Sequence, residues 1–289
     1  MNSLLNTQNL NKKFTPGFTG IAKGKIMIHT ENIFKGLDNY KIYYQKWSPK
    51  EKPKAVILIA HGYAEHSGRY MNVVNHFIPS GYQIYALDHR GHGKSEGKID
   101  EISDFSIFVA DLRKLHNIIR EEYPDEKIFL IGHSMGSLIS LLYAIEYQRE
   151  LAGLAISGGG LPKPDEPPLP RRPADQPLDS SFLSRDPEVI KAYEDDPLVY
   201  RGPIPQTIES GMHKGLNRLS MEVNKIDLPV IIMAGDGCTD GARSENLYDS
   251  IGSKDRTLKR YPDLMHEIFN EPEHPQVMDD LELWFEAHI

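Results

Sequence analysis

Short runs of apolar and β-branched residues recur along the chain at Lys41–Trp47, Ala55–Ala60, Gln83–Leu87, Lys127–Ile131, Leu154–Ser157, Pro229–Ala234 and Thr257–Arg260. Several are apolar at successive positions, which suits a strand buried on both faces, as in a parallel sheet covered from two sides. Between these runs the spacing changes to three and four residues. Phe105, Phe108, Val109, Leu112, Leu115 and Ile119 fall on one face of a helix that stops near Pro124, a residue with no N–H to extend the ladder. Arg69–Phe77, Met135–Tyr147, Glu245–Ile251 and Pro275–His288 read as further helices. Strand and helix in alternation predict an α/β fold. The expected core is a mostly parallel, doubly wound sheet with helices on both faces and a ligand crevice outside the carboxyl ends of its strands.

One stretch breaks the alternation. Leu161–Pro177 carries seven prolines together with Lys163, Asp165, Glu166, Arg171, Arg172 and Asp175, a composition that no helix or strand interior accepts. Helices near Pro187–Tyr193 and Gln206–Leu219 follow it. We read residues 30–160 and 225–289 as one core, 161–224 as an insertion in the position of a lid, and 1–29 as an N-terminal extension, either a disordered tail or a strand-swapping arm. A chain of 289 residues with 39% hydrophobic content is long enough for a single large core.

The net charge of −8 argues against a nucleic-acid partner, because phosphate binding needs a basic surface in bulk. Cys238 is the sole cysteine, so no intrachain disulfide forms and nothing points to an oxidising compartment. Met1–Thr15 is polar and lacks the apolar centre of a signal peptide, and no apolar run reaches the roughly 18 residues of a membrane span. The expectation is a cytoplasmic, soluble enzyme, with peripheral contact to lipid through the lid left open.

Chemistry enters at Gly132-His133-Ser134-Met135-Gly136, which follows one apolar run directly and leads into a helix-compatible stretch. Strand, Gly-x-Ser-x-Gly and helix in that order make a nucleophile elbow, with Ser134 at the tip of a sharp turn; the plainer reading is an ordinary turn or helix-cap serine. Acyl transfer also needs two backbone N–H donors for the oxyanion. Met135 supplies one, as the residue after the nucleophile, and Tyr63 supplies the other from His61-Gly62-Tyr63 after an earlier strand. The general base is expected late in the chain. His266 follows the last predicted strand, whereas His274 precedes Pro275 at a helix start and His288 lies at the C-terminus. Asp88, His89, Arg90 and His92 sit in a glycine-containing turn and read as loop braces rather than metal ligands; Glu65, His66 and Arg69 read as organisers of the oxyanion loop. Neither a metal nor a cofactor is expected.

Taken together, His61-Gly-Tyr-Ala-Glu-His-Ser-Gly-Arg-Tyr70, Asp88-His-Arg-Gly-His-Gly-Lys-Ser95, Gly132–Gly136, Ser184-Arg-Asp-Pro-Glu-Val189, Asp196-Pro-Leu-Val199 and His266-Glu-Ile-Phe-Asn-Glu271 resemble the monoacylglycerol lipase and lysophospholipase group of the α/β-hydrolases. The likeness runs from about Thr30 to the C-terminus. It implies an α/β-hydrolase fold and cofactor-free hydrolysis of single-chain acyl esters, typically a monoglyceride, to an alcohol and a fatty acid. The partner is then a small-molecule acyl ester.

Two departures from that group stand out. Gly158–Asp179 is short, polar and proline-rich where the group carries a longer, apolar lid, which leaves room for shorter or more soluble esters. The group's Gly-x-x-Asp places its triad acid three residues after a glycine, and counting from Gly235 puts Cys238 there. A thiol serves poorly where a carboxylate must accept from the imidazole Nδ1–H. Asp236 keeps the separation from His266 that the group shows and is the preferred acid, with Asp240 the alternative. An altered triad also admits a second kind of protein: a weakly active or non-catalytic ligand binder on the same fold.

Overall fold

The computed structural model describes residues 18–22, 25–163, 179–238 and 240–289. The proline-rich segment assigned to the lid lies, from Pro164 to Leu178, outside the described residues.

Each predicted strand is present, within a few residues at its ends: β3 (Lys41–Pro49), β4 (Ala55–Ala60), β5 (Tyr82–Leu87), β6 (Ile128–His133), β7 (Gly153–Ser157), β8 (Val230–Gly235) and β9 (Arg256–Tyr261). Two more precede them, β1 (Phe18–Ala22) and β2 (Lys25–Lys35). These replace part of the expected N-terminal extension with regular structure. The described strands form one sheet in the order β1-β2-β3-β5-β4-β6-β7-β8-β9. From β5 to β9 neighbours run parallel; β1, β2 and β3 join antiparallel at one edge.

The continuous apolar runs have a simple cause. In β4, Val56, Leu58 and Ala60 enter one core while Ala55, Ile57 and Ile59 enter the other, and all are fully buried. In β8, Val230 and Ile232 part from Ile231 and Met233 in the same way. One face is covered by α2 (Ser106–Glu122) and α3 (Met135–Tyr147), with Leu247 of α6 (Asp240–Ser250) in the same core. The other is covered by α1 (Met71–Phe77) and α7 (His274–Glu286). The sheet is therefore doubly wound, as expected.

The insertion leaves the sheet after β7 and returns at β8. It contributes α4 (Pro187–Asp195), begun by Asp186 capping the Glu188 amide and by proline in the first turn, and α5 (Gln206–Glu222), which packs on α3. Gly215 permits that packing, since a Cβ there would lie 3.2 Å from Leu138 and 3.3 Å from Leu142. The loops after β4, β6, β8 and β9 all leave from the carboxyl edge of the parallel strands. The candidate site is built from these loops.

Candidate active site

Ser134 sits between the last residue of β6 and the first of α3 with φ 53° and ψ −117°. A non-glycine residue in that region carries strain of order 1–3 kcal/mol, which the surroundings must hold in place. They do so through the Ser134 amide, which donates to Ser157 O at 2.9 Å, and through Ser137 Oγ, which donates to Gly132 O at 2.9 Å or Ser157 O at 2.8 Å. The flanking glycines are steric necessities. A Cβ on Gly136 would stand 2.0 Å from Ala60 O, and one on Gly132 would stand 2.5 Å from Gly136 O. Gly136→Ala forces α3 away from β4, so denaturant unfolding will show a loss at or above the roughly 1–3 kcal/mol typical of overpacked cores. A variant as stable as the parent would mean that the helix and strand separate freely.

The loop after β4 lies against the same serine. A Cβ on Gly62 would come within 3.1 Å of Ser134 Cβ. Ala64 adopts φ 65°, and the Gly62 amide donates to Glu65 Oε1 at 2.6 Å, an oxygen that also accepts from Tyr70 Oη at 2.8 Å. His61 braces the turn from below: its Nδ1 donates to Gly62 O and its Nε2 accepts from the His89 amide. Burial holds this imidazole neutral, its pKa pushed down to about 4. Among the described residues, the amides of Tyr63 and Met135 donate to no protein acceptor. The Met135 amide also lies at the positive end of the α3 dipole. The Tyr63 ring packs edge-on against His92 and Tyr200, so only its main chain bears on this reading.

His266 lies in the loop after β9, its ring between His133, with centroids 4.9 Å apart, and Phe182 of the insertion at 5.1 Å. Its amide donates to Phe182 O and that of Glu267 to Leu183 O, which ties the insertion to this loop. The imidazole Nδ1 donates to Asp240 Oδ2 at 2.6 Å. Burial is the largest single influence on His266 and pushes its pKa down; the hydrogen bond to Asp240 and the charges of Asp240, Glu267 and Glu65 together outweigh it and leave the pKa raised. Burial likewise opposes ionisation of Asp240, yet the bond from His266 and its charge hold that carboxyl below its ordinary value.

Of the two candidate acids, the structure brings Asp240, the alternative, to the imidazole, and not Asp236. Asp236 is exposed and accepts from Arg260 Nε at 2.8 Å, and Arg260 also pairs with Glu245. Asp240, the alternative, stands at the first residue of α6 and meets His266. Cys238, between them, does not take the carboxylate's place at the imidazole. Its Sγ lies 2.9 Å from Asp240 Oδ2 and 3.6 Å from Gly235 O, so the thiol donates most closely to the carboxylate oxygen that His266 also uses. Burial first, and then the Asp240 charge, pushes this thiol up to about 12, which keeps it protonated and able to donate.

Behind the pair lies a buried bridge that sequence reasoning missed in part. Arg69 donates to Glu65 Oε2 at 3.1 Å and, in a fork, to Glu267 at 2.5 and 2.8 Å. Arg69 and Glu65 were legible as loop organisers. Glu267 was not, because a charged neighbour of a loop histidine has no spacing to mark it. The remaining sequence candidates are structural: His274 and His288 bond to carbonyls of α7 or its flank, Asp88 accepts from the Ser67 and Lys94 amides, and Arg90 pairs with buried Asp111. Strained hydroxyl, two amides and a carboxylate-paired imidazole make up the groups required for acyl transfer by covalent catalysis.

A family model described as "Serine aminopeptidase, S33" matches residues 51–273. The chain is 37% identical over 275 residues to the monoacylglycerol lipase of Mycolicibacterium smegmatis, an alignment covering 90% of this chain and 98% of the relative. It is 31% identical over 264 residues to the human monoglyceride lipase, covering 86% and 87%. A crystal structure of Paleococcus ferrophilus monoacylglycerol lipase superposes with a TM-score of 0.73 at 29% identity, covering 86% of this chain and 99% of that one.

Proposed function

Because the chain belongs to the serine aminopeptidase S33 family, we propose that it is a serine hydrolase cleaving carboxylic esters of single-chain acyl substrates, of the monoacylglycerol or lysophospholipid type, through an acyl-enzyme. The observation that carries the reading is the 2.6 Å bond from His266 Nδ1 to Asp240, with the His266 ring against His133, the residue before a serine held at positive φ. His266 Nε2 removes the proton of Ser134 Oγ as that oxygen attacks the ester carbonyl. The Tyr63 and Met135 amides hold the oxyanion. Collapse expels the alcohol, which takes the proton from His266, and a water deprotonated by the same nitrogen then releases the acid and restores Ser134.

The raised pKa of His266 gives this mechanism a pH signature. Only the neutral imidazole acts as base, so kcat/KM falls as pH drops through a value above the ordinary 6.5. Stability moves the opposite way. A group whose folded pKa is raised contributes fully below its unfolded value, and that contribution fades as pH rises through the folded one. A kcat/KM profile with no acid limb in the histidine range would count against His266 as the base.

Fluorophosphonate labelling of Ser134, followed by a chain-length series of monoacylglycerols and p-nitrophenyl esters, tests the function and sets the acyl preference. Absence of both labelling and turnover would sink it and favour the ligand-binding alternative. Among the described residues no helix is long and apolar enough to cross a membrane. Peripheral contact with lipid through the insertion, and a reducing compartment that suits the free thiol of Cys238, complete the proposal. Co-sedimentation with phosphatidylcholine vesicles checks the lipid contact.

A further inference from the structure

We infer that Cys238, Asp240 and His266 form a reversible inhibitory site for a thiophilic divalent cation of the zinc and cadmium class. Among the described residues they bring a sulfur, a carboxylate oxygen and an imidazole nitrogen within 4.8 Å of one another. Thiolate, carboxylate and imidazole are the three ligand types that zinc takes, and a site with three protein ligands leaves a fourth position for water. Cys238 and Asp240 each keep some exposure to solvent.

The spacing is close to what coordination requires. Tetrahedral bonds of about 2.0–2.3 Å set neighbouring donor atoms roughly 3.3–3.6 Å apart. The present separations are 2.6 Å from His266 Nδ1 to Asp240 Oδ2 and 2.9 Å from Cys238 Sγ to the same oxygen. Coordination opens these two by about 0.7 Å and draws together the sulfur and the imidazole nitrogen, which lie within 4.8 Å of each other.

Binding releases one proton. The thiol proton goes to solvent as sulfur bonds to the metal; the carboxylate binds as it stands; and the imidazole proton moves from Nδ1 to Nε2 as Nδ1 becomes a ligand. A histidine held in that tautomer has no lone pair at Nε2 with which to deprotonate Ser134. The inhibition rests on the reading of His266 as the base, whereas the binding of the ion does not.

The test titrates the full-length protein with cadmium chloride and zinc chloride, following the ultraviolet thiolate-to-cadmium charge-transfer band, calorimetric stoichiometry and ester hydrolysis together. One ion per chain is expected, with hydrolysis lost in proportion to occupancy and restored by EDTA. Magnesium, which prefers oxygen ligands alone, should leave the rate unaltered. Cys238→Ser keeps a hydroxyl donor for Asp240 and removes the soft ligand. It should abolish the band and weaken cadmium binding by at least the roughly 10–100-fold that loss of an outer-shell partner costs. Its inhibition, taken relative to its own metal-free rate, should weaken in step. A wild-type protein with no band at millimolar cadmium, or a Cys238→Ser variant inhibited at the same metal concentration as wild type, overturns the site. A band in a protein that hydrolyses no ester supports the cation site and counts against the proposed hydrolysis.

Discussion

Hydrolysis of p-nitrophenyl butyrate by Ser134→Ala falls about 10⁶-fold in kcat, the scale on which removal of the nucleophile from a serine protease acts. The whole loss is expected from one hydroxyl, because His266 and the oxyanion amides have nothing to act on without it. Those amides and substrate binding alone leave roughly 10³–10⁴ over the uncatalysed rate. Alanine tolerates the turn at 134 no better and no worse than serine, so the thermal midpoint of the variant should match that of the parent. A variant that keeps more than about a hundredth of the activity would show that the turnover comes from elsewhere.

Asp240→Asn is expected to lower kcat about 10⁴-fold, by analogy with the same exchange at the acid of a serine protease. The reason lies in the oxygen that both His266 Nδ1 and Cys238 Sγ approach. An amide nitrogen in that place donates, obliges Nδ1 to accept, and moves the imidazole proton to the nitrogen that should face Ser134. Asp236→Asn supplies the internal control. Its partner, Arg260, is a surface residue that also pairs with Glu245, and an exposed, solvent-screened ion pair contributes little, none of it near the imidazole. If instead Asp236→Asn is the crippled variant and Asp240→Asn retains activity, the 236–240 loop takes another course during turnover.

The parts of the fold legible in the sequence were those whose burial leaves a repeat. In β4 every residue is buried, so six apolar positions in succession announced it. In β2, Ile28 and Ile33 point to solvent at 42% and 61% exposure while Glu31 and Asn32 interrupt the middle, and no alternation survives to be read. Ser134 and His266 can be read as candidates because one lies in a motif with a mechanical cause and the other follows a recognisable strand. Which carboxylate meets the imidazole is harder to read, for a related reason. Counting residues back from His266 favoured Asp236, but its direction depends on where β8 ends and α6 begins. The apolar pattern placed that helix start near Glu245, and Asp240 already belongs to the first turn.

Arg69 gives the molecule a rule of inheritance. Its guanidinium spans Glu65, which grips the turn before the serine, and Glu267, which adjoins the base; both carboxylates are buried and the Arg69 side chain is nearly so. Exchanging Arg69 alone strands two buried carboxylates, a penalty of roughly 3–5 kcal/mol. Anyone grafting a new substrate loop onto this scaffold from a distant homologue must therefore transplant the trio as a single cassette, although 198 positions separate Arg69 from Glu267 along the polypeptide.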